Sequence, residues 1–133
     1  MDTKEVVNEL QARLDPANRK PASSNLDLLS VLSVFDVIPR IPRVHCTDGF
    51  SMSVQAQHTA YCSPRDSKGP WYEVEVGFPS ERVEDFMPYI DDEYEPDSTE
   101  AVYGFVPINI VADVIIAHGG FKGYNHQPIR RFR

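Results

Sequence analysis

The segment from Val44 to Val54 constrains the fold of this 133-residue chain more tightly than any other. Val44, Cys46, Phe50, Met52 and Val54 flank the turn signal Thr47-Asp48-Gly49, and an Asp-Gly pair between alternating apolar residues marks a hairpin. Loop length then decides the register. A two-residue Asp48-Gly49 turn pairs Thr47 with Phe50 and Cys46 with Ser51, which sets Val44 and Cys46 on the face opposite Phe50, Met52 and Val54. A three-residue loop, with Gly49 left-handed in a bulge, pairs Cys46 with Phe50 and Val44 with Met52. All five apolar side chains then share one face, so the three-residue loop is predicted. His45, Thr47, Ser51, Ser53 and Gln55 occupy the other face.

The remaining elements follow from periodicity. Trp71 to Phe78 reads as a third strand, with Tyr72, Val74, Val76 and Phe78 alternating against Trp71, Glu73 and Glu75. Val102 to Val106 reads as a fourth. Thr3 to Leu14 is predicted as a helix capped by Asp2 or Thr3, with Val6, Val7, Leu10 and Leu14 at helical spacing. Ser24-Asn25-Leu26-Asp27 has the form of a capping box and opens a second helix to about Asp36. Its apolar residues fall on more than one face, which fits either deep burial or a helix-to-helix oligomer contact. Pro107 starts a third helix with Ile108, Val111, Val114 and Ile115 as its buried stripe, and Gly119-Gly120 closes it. Val83, Phe86, Met87 and Ile90 suggest a short helix interrupted by Pro88.

The expected fold is therefore α+β: a roughly four-stranded antiparallel sheet packed by helices on one face, with an N-terminal helical pair. The length suits a single domain over 1–133. Residues 1–38 form its N-terminal helices and 42–118 its α+β core, which includes an acidic connection over 79–100. Residues 119–133 form a basic and aromatic arm, read as extended.

Charge is unevenly distributed. Nine of the twenty positions from 81 to 100 are Asp or Glu, against the single Arg82, whereas 119–133 holds no acid and carries Lys122, Arg130, Arg131 and Arg133. The formal charge of −7 disfavours direct duplex DNA binding and suits docking on a basic, nucleic-acid-binding protein. No 18-residue apolar run is present, so no membrane span is expected. The charged start, Met1-Asp2-Thr3-Lys4-Glu5, lacks the apolar run of a signal peptide. Two cysteines make no disulfide framework, so reduced thiols and a cytoplasmic setting are expected.

No catalytic motif is complete, and no metal or cofactor is expected. His45, Cys46, His58 and Cys62 are zinc-type ligands, but adjacent His45 and Cys46 point to opposite faces of a strand, and the hairpin register already explains Cys46 as a buried hydrophobe. Cys62 lacks a feature that would activate its thiolate. Glu73 and Glu75 beside Trp71 are the better acid–base candidates, although a solvated sheet face accounts for them.

Four stretches resemble small accessory proteins encoded by tailed bacteriophages and prophages. They are Cys46-Thr47-Asp48-Gly49-Phe50-Ser51-Met52-Ser53-Val54-Gln55-Ala56, Tyr61-Cys62-Ser63-Pro64-Arg65, Val74-Glu75-Val76-Gly77-Phe78-Pro79-Ser80, and Val102-Tyr103-Gly104-Phe105-Val106-Pro107 with His118-Gly119-Gly120. The resemblance spans residues 44–120, implies a phage origin and an accessory role, and carries over no catalytic residue.

Two functional expectations result. One is a non-catalytic inhibitor that binds a host defence protein in the host cytoplasm through Asp91, Asp92, Glu93, Glu95 and Asp97. The alternative is a homo-oligomer that sequesters a nucleotide-like signal in an inter-subunit pocket of His45, Trp71, Tyr103, Lys122, Arg130 and Arg131. A virion or assembly component would need only the apolar second helix.

Overall fold

A computed structural model describes residues 1–18, 41–91 and 97–124. They form helix α1 (Thr3–Leu14), strands β1 (Val44–His45), β2 (Ser51–Gln55), β3 (Glu73–Gly77) and β4 (Val102–Pro107), and helix α2 (Ile108–Ala117). The strands make one antiparallel sheet in the order β1-β2-β3-β4, the α+β architecture expected. The second helix, read at residues 24–36, lies outside the described residues.

The Asp2 carboxylate accepts the Glu5 N–H at 2.8 Å and caps α1, which buries Val6, Leu10 and Leu14. Helix α1 lies against α2, and Thr3 Oγ1 donates to Asp113 Oδ1 at 2.8 Å across that contact.

The hairpin has the three-residue loop. Val44 pairs with Met52, the Cys46 N–H donates to the Phe50 carbonyl at 2.7 Å, and Gly49 takes φ +101°, a conformation that favours glycine. All five apolar residues are buried. The other face is less open than expected, because Ser53 and Gln55 are buried as well. The Gln55 amide exchanges hydrogen bonds with the backbone of Ile41 at 3.0 and 2.9 Å, so the chain entering β1 covers this end.

Strand β3 begins only at Glu73, and strict alternation holds at Val74 and Val76 alone. Trp71 is buried, whereas Tyr72 and Phe78 are exposed, the reverse of their expected faces. Both Trp71 and Phe78 lie beyond the ladder, where the pleat no longer dictates direction. Val74 pairs with Val106 and Val76 with Tyr103, so two steps on β3 match three on β4. The extra residue makes a bulge in which Phe105 takes φ +54°.

Helix α2 buries the predicted stripe together with Ala112. Pro107 is its N-cap and not a first-turn residue. The His118 ring stacks on Phe50 at 4.1 Å and places Nδ1 2.7 Å from Asp48 Oδ2, tying the helix end to the hairpin loop. Beyond the helix the described start of the arm, residues 119–124, stays against the hairpin. Gly120 accepts the Thr47 N–H at 2.9 Å, the Lys122 N–H donates to the His45 carbonyl at 2.8 Å, and Phe121 bridges Cys46. The Phe121 ring is buried, because an aromatic beside the open side of β1 gains more from the core than from water.

Candidate partner-binding cleft

Residues 81–91 form a braced carboxylate row. Val83 and Phe86 are buried, and Phe86 packs on Tyr103 with ring centroids 5.8 Å apart. The short helix expected here is a 3₁₀ helix, Glu84–Tyr89, and it accommodates Pro88. Ile90 then bridges Tyr103, and the Asp91 N–H donates to the Val102 carbonyl at 2.8 Å. Glu81, Glu84, Asp85 and Asp91 are left exposed on an anchored backbone, and Arg82 pairs with Glu84. Asp97 accepts from the Thr99 hydroxyl and N–H, which hold its carboxyl below the usual range.

Beside this row lies a cleft of about 430 Å³, lined by Tyr61, Pro88, Tyr89, Ile90, Asp91, Gly104 and Phe105. Its construction explains its residues. The Phe105 N–H donates to the Tyr61 carbonyl at 3.0 Å, and the Tyr61 N–H donates to Glu75 Oε1 at 3.0 Å. Gly104 allows this approach, since a Cβ there would meet Tyr61 Cβ at 3.2 Å. Tyr61 and Phe105 are 40% and 42% exposed, with ring centroids 6.0 Å apart, and the Arg65 guanidinium sits 5.5 Å from the Tyr61 ring. Glu73 and Glu75 are half-buried clamps: Ser63 Oγ donates to Glu73 Oε1 at 2.8 Å, so the two carboxylates fasten the 61–63 loop to the sheet.

Trp71 and Tyr103, expected to line an inter-subunit pocket, are instead buried in the core. Trp71 is 2% exposed and gives its indole N–H to the Asp66 carbonyl at 3.2 Å. Tyr103 is 0% exposed and donates its hydroxyl to the Ser98 carbonyl at 2.6 Å. Neither ring has a free face for a ligand, because the domain needs both for its core. His45 and Lys122 do meet, side by side and exposed at the β1 edge. Asp91 lines the cleft, while Asp92, Glu93, Glu95, Arg130 and Arg131 lie outside the described residues.

Sequence reasoning missed Tyr61, Tyr89 and Phe105. The available signal was Gly104, since a lone glycine within a strand pattern marks a bulge or a close backbone approach.

The thiols are buried. Cys62 Sγ lies 3.3 Å from the Gln57 carbonyl and 3.4 Å from that of Pro64, and burial pushes its thiol up. His58 Nδ1 instead contacts Ser67 Oγ at 3.0 Å. Among the described residues no group of three or more His, Cys, Asp or Glu is gathered to hold a metal ion. Burial, reinforced by the Asp48 carboxylate, pushes the Cys46 thiol from 9.0 up to about 11. The folded state therefore keeps a proton that the unfolded chain releases. The stability this provides is complete below pH 9.0 and is lost as pH rises toward about 11. Urea midpoints taken across that window should fall for the native chain and fall less for Cys46→Ala. Equal slopes would clear Cys46 of any part in the loss.

Fold and site together define an α+β protein with an aromatic cleft, lined also by Asp91, at the β4 edge of the sheet. Comparison with protein-family models, curated proteins and solved structures finds no match to the chain. No helix among the described residues is long and apolar enough to cross a membrane.

Proposed function

We propose that this chain is a non-catalytic, phage-type accessory protein that acts in the host cytoplasm. Its acidic surface over residues 81–100 blocks a basic, nucleic-acid-binding component of host defence. The observation that carries this reading is the bracing of the carboxylate row. Buried Val83 and Phe86, together with the Ile90 and Asp91 backbone contacts to β4, anchor the segment on which Glu81, Glu84, Asp85 and Asp91 are exposed. Carboxylates fixed in advance lose less entropy on binding than a mobile chain would. A dense row of negative charge also competes for the Arg and Lys groove that otherwise grips phosphates.

The test is to convert Glu81, Glu84, Asp85, Asp91, Asp92, Glu93 and Glu95 to their amides. Phage plating would then be measured on cells that express the protein alongside a nucleic-acid-targeting defence system. The native chain should restore plating, and the amide variant should lose that effect while keeping its melting temperature. Full rescue by the amide variant would remove the acidic surface from the mechanism.

A further inference from the structure

We infer that the cleft between Tyr61 and Phe105 is the anchor of this surface and receives an arginine side chain from the partner. The guanidinium stacks on the aromatic walls and pairs with Asp91. This rests on the acidic-surface reading and adds to it a specific residue type and a specific seat.

Three observations point to arginine. First, the walls are aromatic and half-exposed, with Tyr61 and Phe105 6.0 Å apart and Pro88, Tyr89 and Ile90 completing the lining. A planar, weakly hydrated guanidinium stacks on such rings, whereas a lysine ammonium is compact and strongly hydrated. The Tyr61 ring already receives a guanidinium, that of Arg65 at 5.5 Å, which the incoming arginine displaces. Second, among the described residues the one charged side chain lining the cleft is a carboxylate, Asp91. An anionic ligand such as a nucleotide would be repelled there, while a cation is drawn in. Third, the cleft is kept at a cost to the fold. Phe105 occupies the left-handed region at φ +54°, which is unfavourable for a bulky side chain, and yet its ring remains 42% exposed. Glycine or asparagine would take that backbone conformation with less strain.

The test titrates the isotopically labelled full chain with a tri-arginine peptide and, separately, with a tri-lysine peptide at equal ionic strength, following backbone amides by NMR. Tri-arginine should shift Tyr61, Ile90, Asp91, Gly104 and Phe105. It should bind about two- to fivefold more tightly than tri-lysine, the range expected for an exposed guanidinium–aromatic contact. Phe105→Gly should abolish that preference while its melting temperature holds or rises. Phe105→Asn, which also tolerates the left-handed conformation, serves as a second variant. Equal binding of both peptides, with shifts confined to the carboxylate row, would overturn the arginine seat and leave the acidic-surface reading standing. No shift with either peptide would overturn both.

Discussion

Replacing Trp71 with alanine should destabilise the domain by about 3–5 kcal/mol, the usual cost of emptying a large aromatic site in a core. The ring is 2% exposed and packs so closely on Gly69 that a Cβ there would lie 2.7 Å from it. Its surroundings are organised around it. The Gln11 side chain accepts the Trp71 N–H at 3.1 Å and donates to the Trp71 carbonyl at 2.6 Å, which ties α1 to the start of β3. Removing the indole also leaves the Asp66 carbonyl without the N–H that now reaches it. Against a typical domain stability of about 5–15 kcal/mol, such a loss is a large fraction. As this is the only tryptophan, unfolding of the variant must be followed by circular dichroism in urea. A midpoint close to that of the native chain would mean that Trp71 is not a core residue and would reopen its role as a stacking surface.

A comparable loss, about 3–5 kcal/mol, is expected for Phe121→Ala. Phe121 is 1% exposed, bridges Cys46, and lies beneath the Arg13 guanidinium at 4.0 Å from its ring centroid. It joins β1, α1 and the segment after α2. Truncation after Tyr124 keeps the docked segment, whose backbone contacts to β1 run through Gly120 and Lys122, and should cost less than Phe121→Ala. Deletion from residue 121 onward would confuse loss of fold with loss of the arm's charges. The two variants therefore need to be compared side by side. If truncation after Tyr124 were as destabilising as Phe121→Ala, residues beyond the docked segment would be contributing to the core.

How far the chain could be read in advance depended on what set each element. The hairpin register was legible because five apolar residues admitted one loop length, and the observed pairing of Val44 with Met52 follows from that constraint. Helices α1 and α2 were legible because cap and stripe agree at Asp2 and at Ile108, Val111, Val114 and Ile115. The candidate site was less accessible. The exposed carboxylates are visible as composition, but the cleft arises where periodicity fails: at the Phe105 bulge and in the loop that brings Tyr61 beside Gly104. Trp71 misled for a related reason. Alternation assigned it to the polar face, whereas its indole N–H reaches back to the Asp66 carbonyl and the ring is buried.

The sheet's two outer margins have one more consequence. On β1 the backbone is met by Gly120 and Lys122, and on β4 by Tyr61, Ile90 and Asp91. Unsatisfied strand margins invite other chains to add on and grow into aggregates. With its own segments in those places, the molecule can accumulate to high concentration without templating such growth, and a partner must engage its side chains because the backbone margin is already taken.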